Sequence, residues 1–382
     1  MHINDLLRFA IERRASDLHL KAGSYPMMRV DGTLVVANED KRLERDDTEG
    51  IARTIMTPAQ FERFRQLSEL DLAYSVPGLG RFRCNVFHQR GTIGIVFRII
   101  PTGVPTIDEL ELPPVLKRIA EEERGLVLVT GTTGSGKSTT LAAMINHINH
   151  TRSSHIMTVE DPIEYLHRDH LSIVNQREVS VDTPSFAHAL RSALRQDPDV
   201  ILVGEMRDLE TVETALLAAE TGHLVFSTLH TLDAPESINR IVAVFPPHQQ
   251  RQVRLQLAST LKAVISQRLM PRASGFGRCA AVEVMVATPF IRDCIVDKDK
   301  THLIMGAIAQ GTSQYGMQTF DQSIYVLYEK GLVSYEDALR YASNKDEFRL
   351  KVQGISTTAE VAREQMMRAS LGDLPDVVRF SR

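Results

Sequence analysis

Tryptophan is absent from this 382-residue chain, and cysteine occurs only at Cys84, Cys279 and Cys294. No CxxC pair is present, so the sequence encodes neither a disulfide framework nor a cysteine zinc site, and the thiols fit a reducing compartment. Charge of one sign is also lacking. Forty-four basic residues stand against 48 acidic ones, a net of −4, with Lys and Arg spread along the chain. A dedicated nucleic-acid binder concentrates basic residues for phosphate contacts, and a strand-tracking translocase interleaves them with aromatics, so nucleic acid is not expected as a partner. Apolar runs such as Leu126–Val129 and Val200–Val203 have the length of core strands. Crossing a bilayer takes about 20 apolar residues, so no transmembrane segment is predicted. The opening Met1–Leu7 has no basic stretch followed by an apolar one, so no secretion signal is expected either.

What is present reads as two domains and a tail. Residues 3–14 carry Ile3, Leu6, Leu7, Ala10 and Ile11 at helical spacing. Asp17–Leu20 and Met27–Val30 read as short strands, the second closed by an Asp31-Gly32 turn. A helical stretch over 46–67, broken near Thr57-Pro58, precedes the alternation of Leu70, Leu72 and Tyr74 and two further strands ending at Ile100. This predicts a small α+β domain over residues 1–102. The proline cluster 101–105 marks the boundary. Beyond it strands and helices alternate: a strand at 126–130, a helix, a strand at 156–159, helix 184–195, strand 200–204, helix 209–220 and strand 223–228. That order predicts an α/β domain with a mostly parallel sheet, spanning 103–353. After about residue 245 the pattern reads as helical, with clear amphipathic pieces at 320–328 and 335–341. Residues 354–382 read as a mobile tail.

The chemistry centres on Gly131-Thr132-Thr133-Gly134-Ser135-Gly136-Lys137-Ser138, which fits GxxxxGK[ST] between a β-branched strand and a helix beginning at Thr139. Glycines let backbone N–H groups wrap phosphates. Lys137 neutralises β/γ charge, the Ser138 hydroxyl suits Mg²⁺, and the helix N-terminus adds positive dipole. A nucleotide and Mg²⁺ are the expected cofactors. Downstream, the apolar strand 200–203 ends at Gly204-Glu205, where a carboxylate can hold or orient the metal and its water. Asp199, ahead of that strand, ranks lower. Between the two lies Thr158-Val-Glu160-Asp161-Pro162-Ile163-Glu164-Tyr165, whose carboxylates sit just after a strand. Hydrolysis needs a base there, and spacing leaves Glu160 and Glu164 both open. His223 and His230 bracket one apolar strand, so one of them can lie near the phosphates and sense nucleotide state. The pairs His147/His150 and His167/His170 lack a third ligand and are not expected to hold metal. Arg81 and Arg83 alternate along a strand and share a face, a pattern suited to an arginine supplied to a transferred phosphoryl group.

In combination, GTTGSGKSTT, TVEDPIEYLH, LRQDPDVILVGEMRD, ETGHLVFSTLHT and GMQTFD resemble, in order and spacing, the PilT-type retraction ATPases of bacterial type IV pili, over roughly residues 1–350. The resemblance implies a PAS-like N-terminal domain, a RecA-like motor domain of the type II/IV secretion ATPase superfamily, and a six-membered ring. It implies ATP as the nucleotide, Glu164 as catalytic base, Glu205 as Walker B acid, Lys137 and Ser138 as the Walker A pair, His223 and His230 as the His box, and Arg81 and Arg83 reaching nucleotide across the ring. It further implies a cytoplasmic motor acting on a platform protein of the inner membrane, with a paralogous retraction ATPase as a possible partner. Two departures stand out. Pro289-Phe290-Ile291-Arg292-Asp293-Cys294-Ile295 matches the family's AIRxLI motif only in part, with Phe290 at the alanine and Cys294 at the leucine, and the chain runs some 30 residues past the usual end, as in some PilU-type paralogues. An accessory nucleotide-binding ring that assists another motor is therefore the competing reading, against which the complete set of acidic boxes argues.

Overall fold

The computed structural model describes residues 2–30, 32–37, 41–101 and 103–354. In chain order the strands among them are β1 (Asp17–Lys21), β2 (Met27–Val30), β3 (Thr33–Val36), β4 (Glu69–Val76), β5 (Gly80–Gln89), β6 (Thr92–Ile99), β7 (Gly125–Thr130), β8 (His155–Glu160), β9 (Ile173–Glu178), β10 (Val200–Val203), β11 (Leu224–Leu229), β12 (Leu261–Pro271) and β13 (Arg278–Val286). The chain falls into two compact units, residues 1–106 with 142–205 and residues 107–141 with 206–382.

In the first unit β1 to β6 form an antiparallel sheet in the order β3-β2-β1-β6-β5-β4. Val30 faces Thr33, so the expected hairpin closes in two residues; Gly32 adopts φ 82°, while Asp31 lies outside the described residues. The predicted break near residue 57 is real. Met56 ends one helix (Arg45–Ile55) and Thr57 caps the next (Pro58–Leu67) through a reciprocal capping box with Gln60, and Pro58 occupies the first turn, where its missing N–H costs nothing. Alternate residues of β4 and β5 point inward: Leu70, Leu72, Phe82, Cys84 and Val86 are all buried. They join Ile3, Leu7, Leu18 and Phe97 in a core of the first hundred residues. The opposite face of β5 therefore carries Arg81 and Arg83, as the alternation requires. The same unit contains a parallel run in the order β10-β8-β9, and Val200–Val203 are all fully or nearly fully buried, the continuous apolar reading of a strand covered on both faces.

In the second unit β7 lies between β12 and β11, parallel to both, and β13 pairs antiparallel with β12. Every residue of β7 is buried. Two expectations are corrected here. Residues 261–286 are not helical: they form β12 and β13. The apolar positions Val253, Leu257, Ala258, Leu261, Val264 and Ile265 continue the helical spacing of Gln250–Thr260 straight into the strand, so periodicity alone carries the helix too far. Strand β9 was not anticipated either, because its sequence, Ile-Val-Asn-Gln-Arg-Glu, has little apolar content and leaves Ile173 exposed. The amphipathic helices expected near the end are present as Phe320–Glu329 and Tyr335–Tyr341. They pack Phe320, Ile324, Leu327 and Ala338 against Met270 and Ala281 of β12 and β13. Of the predicted tail only Gly354 is among the described residues.

Candidate active site

The phosphate loop is carved by main chain. β7 ends at Thr130, and Gly131 follows at φ 138°. A Cβ on Gly131 would lie 2.5 Å from the Gln267 carbonyl oxygen and 2.6 Å from Ser135 Oγ, so glycine is required both by backbone angle and by space. Gly134 and Gly136 also have positive φ, 78° and 93°. The helix Lys137–Thr151 then begins, two residues ahead of the predicted Thr139. Lys137 is 9% exposed, and its Nζ donates to the carbonyls of Gly131 and Thr132, both at 2.9 Å. The ammonium thus folds over the mouth of its own loop. Ser135 is buried with an Oγ that has no hydrogen-bond partner among the described residues, a polar atom of the kind a phosphate satisfies. Thr132, Thr133 and Ser138 are exposed. A glycine cradle with an inward lysine fits nucleotide phosphates, and the exposed Ser138 hydroxyl is a hard oxygen donor of the type Mg²⁺ takes.

Register decides between the two histidines. Leu229 pairs with Thr130 in the parallel β11/β7 ladder, so His230 and Gly131 leave their strands at the same end. His223 precedes the opposite end: its carbonyl accepts the Gly125 N–H at 3.0 Å, and its Nδ1 lies 3.0 Å from the Ala218 carbonyl oxygen. His230 thus follows β11 at the end where the phosphate loop leaves β7. On the other flank, Thr130 donates its hydroxyl to Ser266 Oγ at 3.0 Å, and Ser266 lies 3.4 Å from Glu283 Oε1. Glu283 is fully buried, also accepts the Ala234 N–H at 2.9 Å, and has an Oε2 with no partner among the described residues. Burial pushes its carboxyl up to about 7, with Asp233 adding to the rise and Arg268 opposing it. Neither Ser266 nor Glu283 was singled out from sequence; both sit on the strands that periodicity misread.

The acidic segment, in the first unit, separates its two candidate bases. Glu160 ends β8 and is engaged by its neighbours: Thr158 Oγ1 donates to its Oε1 at 2.7 Å and Gln176 Nε2 to the same atom at 3.1 Å. Burial holds its carboxyl above the ordinary range, against those bonds and one from the Glu164 amide. Gln176 also donates to the Tyr165 carbonyl at 2.8 Å and accepts the His167 N–H at 2.9 Å. Burial pushes His167 down to about 4, so it is neutral near pH 7. Glu164 is exposed. It shares the lining of a cavity of about 250 Å³ with Arg83, Arg98, Ile163 and Tyr165. The structure therefore brings Arg83 and Glu164 together, and it sends Arg81 elsewhere: Arg81 Nη2 donates to Glu178 Oε2 at 2.8 Å. Glu205 follows β10 by two residues and is half-buried. Asp199, ranked lower from sequence, is tied into the sheet's end, its carboxylate accepting the His155 N–H at 2.8 Å and its own N–H donating to the His155 carbonyl.

A glycine-carved phosphate loop on a parallel sheet, in a chain carrying a strand-end acidic turn, defines a P-loop ATPase. The model of the type II/IV secretion system protein family matches residues 95–372, and the chain belongs to that family, in its PilT-type branch. It is 50% identical to the type IV pilus retraction ATPase PilT of Pseudomonas aeruginosa over 348 residues, 91% of this chain and all of that one. It is 42% identical to the type IV pilus ATPase PilU of the same organism, covering 92% of each. A crystal structure of the pilus retraction motor PilT with bound ADP superposes with a TM-score of 0.84 at 47% identity, over 91% of this chain and 98% of the other.

Proposed function

We propose that this chain is the hexameric motor of type IV pilus retraction, coupling ATP hydrolysis to pilin depolymerisation. The observation that carries the reading is the phosphate loop itself, in a chain similar to PilT along nearly its whole length. In this reading residues 131–139 bind the phosphates, Lys137 offsets their charge, and Ser138 with Glu205 holds Mg²⁺. When bound, the metal neutralises charge developing on the transferred group. Glu164 orients and deprotonates the attacking water, a choice supported by its exposure beside Arg83 and by the bonds from Thr158 and Gln176 that already engage Glu160. His230 senses the nucleotide from the loop end of β11, with His223 at the far end. Residues 1–102, with a core of their own, form the N-terminal domain and 103–353 the motor domain. No helix among the described residues is long and apolar enough to cross a membrane. In this reading force is delivered at the cytoplasmic face through a platform protein.

The test is steady-state ATPase of the full chain with Mg²⁺, with mass measured on the same sample, beside Glu164→Gln and Glu160→Gln. Turnover by a hexamer, reduced about 10²- to 10⁴-fold by Glu164→Gln with nucleotide still bound, is expected. If Glu160→Gln alone has that effect, the base is misassigned. Nucleotide binding without turnover in the unaltered protein would favour the accessory ring, a reading to which the 51% exposed Phe290 at the altered motif lends its support.

A further inference from the structure

Glu178, the last residue of β9, is 6% exposed, and one of its oxygens does two jobs. Oε2 accepts the Arg81 guanidinium at 2.8 Å and the Ile163 N–H at 3.1 Å. Ile163 is itself buried and immediately precedes Glu164. The backbone of Glu178 is fixed from below, its N–H donating to Asp182 Oδ2 and its carbonyl accepting the Asp182 N–H, both at 2.8 Å. The neighbouring Val179 N–H donates to the Glu160 carbonyl at 2.9 Å. Side-chain exposure of the ion pair is 17% for Arg81 and 8% for Glu178. In so enclosed a place a charge-assisted bond is strong, and removing one partner strands the other.

We propose that Arg81 is a positioning residue and not a nucleotide ligand: with Glu178 it latches strand β5 to the acidic turn and fixes the backbone that presents Glu164. The two arginines on one strand face then divide their work. Arg81 holds the turn, and Arg83, two residues on, lines the cavity beside Glu164. Strand β5 belongs to the sheet of the first hundred residues, so movement of that sheet would act on the base through one carboxylate. The inference rests on Glu164 being the base.

The experiment is a double-mutant cycle on the full-length protein with Mg²⁺ and ATP, using Arg81→Ala, Glu178→Gln and the pair, with Glu164→Gln as control. Arg81→Ala is expected to lower kcat about 10- to 100-fold while KM and the affinity for a fluorescent ATP analogue change less than about threefold, since a misplaced base costs rate and not binding. The double variant should be no slower than Arg81→Ala, because the residues act as one unit. Arg81→Lys, which keeps a donor for Glu178, should recover most of the rate; if Arg81→Ala does not fold, Arg81→Met, which keeps an aliphatic stem and loses the donor, replaces it in the cycle. A tenfold loss of nucleotide affinity in Arg81→Ala with Glu178→Gln unaffected would make Arg81 a ligand and overturn the latch, as would additive losses in kcat. Full turnover in Glu164→Gln would instead locate the error in the choice of base.

Discussion

The phosphate loop and the acidic turn are built by opposite means. Around Gly131 the shape is main chain against main chain: a carbonyl of β12 presses where a Cβ would stand, and the one long side chain, Lys137, is satisfied by the loop's own carbonyls. Around Glu164 the shape is set by side chains from a neighbouring strand: Gln176 of β9 ties Glu160, Tyr165 and His167, and Glu178 ties the Ile163 amide to Arg81 of β5. Main-chain carving tolerates almost no substitution at the glycine, yet it is indifferent to which side chain the opposing strand carries, since Gln267 contributes only its carbonyl. A side-chain scaffold can be tuned residue by residue, and it can be loosened.

Gly131→Ala should show the largest effect. The added methyl meets backbone at a φ only glycine adopts readily, so nucleotide binding should be lost, with about 2 kcal/mol or more of stability. Fluorescent-nucleotide titration and thermal melts measure both, and normal binding would break the claim that the loop is carved by main chain. Glu283→Gln sharpens the comparison by asking whether the one buried carboxyl behind the loop matters. An unfolded glutamate titrates near 4.5 and this one near 7, so between those values the folded state keeps a proton that the unfolded state has released. Its contribution to stability is therefore greatest below about pH 4.5 and declines as pH rises through 7, by about 3 kcal/mol. The glutamine variant should lack that decline, read as the difference between its melts and those of the parent from pH 5 to pH 8. Gln176→Ala should cost less, about 1 to 2 kcal/mol, leaving the His167 amide and the Glu160 carboxyl each short of a partner. Turnover should fall while nucleotide affinity holds, and a loss of affinity equal to that of Gly131→Ala would erase the distinction between the two regions.

The same contrast explains what the sequence discloses. A main-chain feature writes itself locally: three glycines, a lysine and a strand before them identify the loop without any other part of the chain. The N-terminal sheet is legible for a similar reason, since Leu70, Leu72 and Phe82, Cys84, Val86 alternate cleanly and Thr57-Pro58 marks the helix break. The choice between Glu160 and Glu164 depends instead on Gln176, twelve or more residues away on a polar strand that carries no periodic signal. The Ser266–Glu283 pair behind the loop lies on β12 and β13, where the spacing of apolar residues runs on from a helix without interruption.

All three native thiols are sealed in the interior, Cys84 in the sheet of the first hundred residues, Cys279 on β13 and Cys294 in the helix Pro289–Val296. Burial also pushes each above the usual thiol range, which suppresses the reactive thiolate. To a maleimide dye the folded surface is therefore blank. A cysteine placed at exposed Phe290 becomes a unique attachment point, and with no tryptophan in the background a single fluorophore per chain can report the motor's motion without rebuilding the protein first.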